Sequence, residues 1–126
     1  MANTQSVSVQ MAKILDQFSD KVQRTTNEAI DKVSRESVKK LKSGSPVRTG
    51  SYARGWAVKR NTKGKIKGAT VHNRTDYQLT HLLENGHVIR NAKGTYGRAP
   101  AQKHIAPVEE WAVEEFPAEI ERNLER

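Results

Sequence analysis

The first 43 residues contain neither glycine nor proline, and this constrains everything downstream. Within them Met11, Ile14, Leu15, Phe18, Val22, Ala29, Ile30, Val33, Val38 and Leu41 recur mostly three or four positions apart, the helical period. The spacing predicts one helix over residues 8–42. At 1.5 Å per residue it would be about 50 Å long, longer than a domain of this size is wide, so part of it must project or bend. Thr25-Thr26-Asn27 is its weakest point. Ser43-Gly44 supplies the stop: Lys39, Lys40 and Lys42 suit the negative end of the helix dipole, and Gly44 suits a left-handed cap.

Beyond that stop the pattern changes. Ser51–Arg60 alternates, with Tyr52, Arg54, Trp56 and Val58 on one strand face and Ala53, Gly55 and Ala57 on the other. Asn61-Thr62-Lys63-Gly64-Lys65 reads as a hairpin loop, and Ile66–Asn73 as the returning strand, so that residues 51–73 form a β-hairpin. Asp76 is placed to cap a short helix over 76–85, ended by Asn85-Gly86. Residues 87–104, rich in glycine and basic side chains, read as a long loop or an irregular hairpin. Pro107 opens a final helix over 107–125, with Glu109 and Glu110 in its first turn and Trp111, Phe116, Ile120 and Leu124 as its buried stripe. The fold class is α+β within a single domain, residues 1–126: a long N-terminal helix packed on a small antiparallel sheet, a short middle helix and a C-terminal helix.

Charge is unevenly distributed. Residues 1–100 hold 19 Lys and Arg against 7 Asp and Glu, a net +12, and residues 101–126 hold 3 against 7, a net −4. Between Ser37 and Thr75 there are 11 basic residues and no acid. A basic body with an acidic tail attracts polyanions, and equally its own copies head to tail. Cysteine is absent, which excludes a disulfide framework, a thiolate nucleophile and Cys-ligated zinc, and fits an intracellular origin. The N-terminus lacks the pattern of a signal peptide, and no apolar run reaches the roughly 18 residues of a membrane span; the chain reads as soluble.

Candidate chemistry fails on spacing. Gly44 and Gly50 have five residues between them and Ser51-Tyr52 follows, whereas a phosphate-binding loop needs four intervening residues and then Lys-Ser/Thr. His81 and His87 are six apart, with a helix stop between them, whereas a zinc-protease helix needs two histidines at i and i+4. His72 and His104 add no ligand pattern. The acids before residue 100 are scattered, Glu109, Glu110, Glu114 and Glu115 read as a solvated or partner-facing face, and no Gly-x-Ser-x-Gly elbow occurs. The chain reads as a non-enzyme without metal or cofactor, a metal-dependent hydrolase being the remote reading. The residue-level alternative is a small basic nucleic-acid-binding protein: Arg54, Lys59, Arg60, Lys63, Lys65 and Lys67 cluster near Tyr52 and Trp56, although both aromatics are needed for the core.

Three blocks carry a family resemblance. "SPVRTGSYARGW" (45–56) resembles a Pro-x-x-Thr-Gly-x-[Leu/Tyr] signature, "DYQLTHLLENGH" (76–87) a Tyr…[Leu/Val]-x-Glu-x-Gly segment, and "GRAPAQKHIAPVEE" (97–110) a closing Pro…[His/Phe]-[Ile/Leu]-x-Pro-Ala motif, with Val108 in place of the small residue. Together they resemble the neck or tail-completion (head–tail joining) proteins of long-tailed double-stranded DNA bacteriophages. The resemblance implies a structural virion subunit, assembled in the host cytoplasm, that forms a hexameric or dodecameric ring at the head–tail junction. Its implied partners are copies of itself, head-closure or connector proteins, tail-terminator or tail-tube proteins, and packaged double-stranded DNA; no membrane is involved. On charge alone the six basic residues above are expected to face either that DNA or an acidic rim of an adjoining ring. The resemblance also implies shape-determining roles for Pro46, Thr49, Gly50, Tyr77, Glu84, Gly86, Pro100, His104 and Pro107.

Overall fold

The computed structural model describes residues 4–47, 49–91 and 94–125. Helix α1 spans Thr4–Gly44 and crosses Thr25-Thr26-Asn27 without interruption. Its two halves differ. Residues 7–20 are exposed on every side, whereas Thr25, Ala29, Val33, Ser34, Ser37 and Leu41 are buried. The projection required by the length is therefore the N-terminal half.

The end of α1 departs from expectation. Gly44 is not in the left-handed region. Instead the main-chain N–H of Ser45 still bonds Leu41 O at 2.9 Å, and Pro46, which has no N–H to donate, makes the next helical bond impossible. The chain turns at Gly50 (φ 87°) into α2, the single turn Ser51–Arg54. The strand expected from Ser51 begins only at Trp56. The spacing of Tyr52 and Trp56 explains the error: residues four apart share a face in a helical turn and in a strand alike. Arg54 distinguishes them, and it lies exposed, away from the core face.

Strands β1 (Trp56–Asn61) and β2 (Gly68–Asn73) pair antiparallel from Trp56↔Asn73 to Asn61↔Gly68. Ile66 and Lys67, expected in the second strand, lie in the connection instead. Asn27 of α1 holds that connection down, accepting from the Lys67 N–H at 2.8 Å and donating to Lys65 O at 3.0 Å. Helix α3 covers Leu79–Asn85 and has no side-chain cap. Asp76 does not cap it: its carboxylate accepts from the hydroxyls of Ser51 (2.8 Å) and Thr75 (3.0 Å).

Much of 87–104 is regular. Strands β3 (His87–Asn91) and β4 (Gly94–Ala99) pair antiparallel as a second two-stranded sheet. Val88 pairs with Arg98 and Arg90 with Thr95, leaving one extra residue on β4, a bulge that Gly97 accommodates at φ 111°. Lys93, read as part of the loop, lies outside the described residues. Helix α4 spans Ile105–Leu124 and runs through Pro117. It starts two residues before Pro107, so Glu109 and Glu110 fall in its second turn.

The core is small. Leu41, Tyr52 and Trp56 are its buried centre, surrounded by Val38, Val71, Leu83, Ile105 and Val108. Helix α4 lies along the C-terminal half of α1. There the Lys32 ammonium sits 3.2 Å from both Glu119 oxygens, and Lys40 Nζ lies 4.6 Å above the Trp111 ring. Trp111, Phe116, Ile120 and Leu124 are only half-buried, and the buried residue of this face is Glu119.

Gly55 joins α2 to β1 where no side chain fits: a Cβ there would lie 2.1 Å from Thr75 Oγ1 and 2.5 Å from Asn73 Oδ1. Gly55→Ala is expected to destabilise the fold by about 1–3 kcal/mol, lowering the melting temperature by about 4–12 °C in a thermal scan. An unchanged melting temperature would contradict the close packing of this corner.

Candidate functional site

The side chains that converge most densely belong to a polar knot rather than a catalytic cleft. Its centre is Glu84, near the end of α3. One carboxylate oxygen accepts from the main-chain N–H of His104 (2.9 Å) and of Ile105 (2.8 Å), and the other from Ala106 (3.0 Å). These are donors that the start of α4 cannot satisfy internally. The next residue is Pro107, which has no N–H. A carboxylate from another helix and a proline thus settle the whole first turn of α4, and the negative charge sits at the positive end of its dipole. His104, the residue at the cap position, makes no capping bond with its own side chain.

That imidazole is used elsewhere. Its Nδ1 is 2.7 Å from Gln102 O, which assigns the proton to Nδ1; the same N–H is 3.1 Å from Glu84 Oε1. Nε2 is then free to accept from the Tyr52 hydroxyl at 2.6 Å. Tyr52, Trp56 and His104 meet edge to face, with ring centroids 5.5–6.3 Å apart. Trp56 Nε1 donates to Ser45 Oγ at 2.8 Å, and the Ser45 hydroxyl donates to Leu41 O. Asn73 completes the knot. Its amide nitrogen donates to Tyr52 O at 2.7 Å, and its oxygen accepts from the Asp76 N–H at 2.8 Å. The ends of α1, β2 and α3, with α2 and the starts of β1 and α4, are tied together within it.

Burial raises the Glu84 carboxyl, but the backbone donors of His104, Ile105 and Ala106 and the neighbouring imidazole outweigh it, and the group lies below its ordinary 4.5. Burial, with the Glu84 charge adding to it, pushes the Tyr52 hydroxyl up to about 12, so it remains a donor. On α4, hydrogen bonds from Arg122 and Asn123, and then from Lys32, hold the Glu119 carboxyl down at about 2 against the effect of burial.

The residues singled out from the sequence divide between the knot and the surface. Glu84, His104 and Pro107 build the cap. Gly86 (φ 77°) lets the chain pass: a Cβ there would lie 2.6 Å from Ala99 O, beside Pro100. Gly50 supplies the left-handed turn before α2, and Thr49 Oγ1 accepts from the Ser51 N–H at 3.4 Å. Pro46, Thr49 and Gly50 line one open cavity with Leu79, Leu82 and His87. Tyr77 lies on the surface, 65% exposed. Of the basic set, Arg60 pairs with Asp31 of α1, Lys59, Lys63, Lys65 and Lys67 are spread over β1 and the exposed connection of the β1–β2 hairpin, and Arg54, at the end of α2, lies exposed apart from them, at the hairpin's base. Among the described residues no three metal-ligating side chains gather, and His72 and His87 each keep a buried Nδ1 without a protein partner. Sequence reasoning missed Ser45, Asn73 and the Tyr52–His104 bond. Their partners are 11–52 residues away, and no local pattern marks such pairs.

A family model described as "Bacteriophage HK97-gp10, putative tail-component" matches residues 9–86, from the projecting half of α1 through the Glu84-Asn85-Gly86 end of α3. The chain belongs to this HK97-gp10-like family. No curated protein and no solved structure matches it. Membership gives the chain a structural role as a component of a phage tail, and with it a place in the virion. Among the described residues no helix is long and apolar enough to cross a membrane. In this HK97-gp10-like chain the matched region supplies the capping carboxylate, and the capped helix lies beyond the match.

The lowered carboxyls set the acid limit of stability. Groups depressed in the folded state contribute fully above their unfolded value, near 4.5, and lose that contribution as pH falls through the folded value. Chemical denaturation is therefore expected to give constant stability from neutrality to about pH 5 and a decline below it. Glu84→Gln, which puts an amide N–H against main-chain donors, should cost about 1–3 kcal/mol at neutral pH and flatten that decline. A variant with wild-type stability at pH 7 would show that the cap is dispensable.

Proposed function

We propose that this tail-component chain is a subunit of a homo-oligomeric ring at the head–tail junction, in the neck or at the tail's upper end, where it contacts the adjoining head-closure or connector and tail-terminator or tail-tube rings. The observation that carries this reading is surface area. A compact monomer of 14.2 kDa exposes about 6,800 Å², and this chain exposes 9489 Å². The excess, roughly 2,700 Å², exceeds the roughly 1,600 Å² that a ring subunit would bury against two neighbours at about 800 Å² each. Much of the exposed surface is apolar: Met11, Ile14, Leu15, Phe18, Val47, Ile66, Tyr77, Leu82, Ile89 and Val113 all lie on it, and no large side chain among the described residues is fully buried. Such a chain is completed by copies and partners.

The test is genetic. A stop codon in this gene, in a phage or induced prophage that carries it, is expected to leave DNA-filled heads and separate tails in micrographs. Joined, infectious particles at normal yield would remove the head–tail assignment.

The basic hairpin gives this reading a polyanionic neighbour, either DNA in the passage or an acidic rim of the next ring. Lys65 and Lys67 reach Asn27 through main-chain atoms, so Lys63→Glu, Lys65→Glu and Lys67→Glu together should leave the melting temperature nearly unchanged, surface changes of this kind costing about 0.5 kcal/mol or less. Particle assembly or DNA retention should fall. Normal particle yield from the triple variant would reduce these charges to a solubility role.

A further inference from the structure

Two unpartnered apolar surfaces lie on this chain, and they suit each other. The first is a stripe on the projecting half of α1. At 100° per residue Val7, Met11, Ile14, Leu15, Phe18 and Val22 fall within an arc of about 100°, the width of a buried helix face. Yet Met11, Ile14, Leu15 and Phe18 are 59–65% exposed. The second is a groove of about 520 Å³ between α1, β2 and α4, lined chiefly by Ile30, Val33, Val71, Ala112, Val113 and Phe116. Glu109 lines it and, with Glu110 and Glu114, all three exposed, also lines the adjoining cavity on α4.

From these surfaces we infer that the N-terminal half of α1 of one copy docks in the α1–β2–α4 groove of the next copy. The inference rests on the ring reading and names its interface. The helix cannot reach its own groove: α1 is continuous from Thr4 to Gly44, and its C-terminal half is one wall of that groove. The occupant is therefore a helix from another molecule. Charge favours a second copy. The α4 side of the groove is acidic, whereas the chain as a whole has a net charge of +8; in the docking half Lys13 and Lys21 balance Asp16 and Asp20, and at 100° per residue the two acids lie on the side of the helix away from the stripe. A nucleic acid is disfavoured by the three carboxylates on α4. Area is adequate too, since each subunit gives one contact and receives one, within the surface excess found above. A contact between two different patches is heterologous, and repeated copies of it close into a ring when the rotation allows.

The test uses the full chain and light scattering after size exclusion, at tens of micromolar. The wild type is expected to assemble. Phe18→Glu breaks the stripe and Val113→Glu breaks the groove; both positions are exposed in the single chain (62% and 69%), so circular dichroism melts should match the wild type. Each variant alone should run as a monomer, with association weakened at least about 100-fold. The decisive sample is the equimolar mixture, in which the intact stripe of the Val113→Glu chain meets the intact groove of the Phe18→Glu chain and yields a 1:1 dimer. Because the chain has no cysteine, Phe18→Cys and Val113→Cys chains joined by a short bismaleimide give a second readout: cross-linked heterodimer in excess of either homodimer. A monomeric wild type, a Val113→Glu chain that assembles normally, or a mixture that stays monomeric overturns the inference, the second of these being the signature of stripe-on-stripe pairing. Rings of wild-type size formed by Val113→Glu would remove this interface and leave the ring reading standing. Separate heads and tails in the stop-codon phage bear on that reading alone.

Discussion

The Glu84 carboxylate is the contact on which the arrangement of elements depends. A helix start buried against another element leaves main-chain donors that water cannot reach, and each unsatisfied donor costs about 1–3 kcal/mol. At α4 three such donors converge on one side chain that comes from α3, twenty residues earlier. This fixes both the position and the direction of α4 relative to α3. Once α4 is placed, its inner face can only lie along the C-terminal half of α1, where Lys32 meets Glu119 and Lys40 meets Trp111. Without the carboxylate the two helices have few other reasons to adopt this one geometry, because the apolar core between them is thin.

That thinness explains why the centre is so polar. Leu41, Tyr52 and Trp56 are its apolar centre, and both aromatic rings carry a polar atom that must be satisfied. Tyr52 reaches His104, and Trp56 reaches Ser45. A buried network of this kind specifies one arrangement only when every member is paired, and here the Tyr52–His104, Trp56–Ser45, Asn73–Tyr52 and Glu84–His104 links each join different parts of the fold. The knot does for orientation what a larger core does by shape.

The acidic tail has two faces with different roles. Glu119 is turned inward, paired to Lys32 and Arg122, so part of the charge asymmetry is neutralised within the molecule. Glu109, at the groove, and Glu110 and Glu114, beside it on α4, remain exposed. On the basic side, Arg60 is paired with Asp31, while Lys59, Lys63, Lys65 and Lys67 lie in the stretch 37–75, which contains no acid. Opposite surface charges thus lie on one chain, available for contacts between molecules rather than within one.

What the sequence by itself determined is local. The glycine- and proline-free start made α1, and its length alone required a projection. Apolar period, turn residues and strand-forming runs located the β1–β2 hairpin, α3 and α4, because these signals depend on neighbours two to four positions away. The family likeness was equally legible in Pro46-x-x-Thr49-Gly50 and Glu84-x-Gly86, both within the matched residues 9–86. Tertiary structure decided the rest. It chose a helical turn over a strand at Tyr52, since spacing by four satisfies both periods and it is Arg54, turned out to solvent, that separates them. It turned Asp76 from a cap into an acceptor for Ser51, and between the loop and the irregular hairpin that 87–104 offered it selected the hairpin, β3 and β4 pairing across a bulge. Above all it brought Glu84 to the start of α4. A carboxylate finds main-chain donors twenty residues away only when the whole chain has folded around them, and no periodicity in the sequence encodes that meeting.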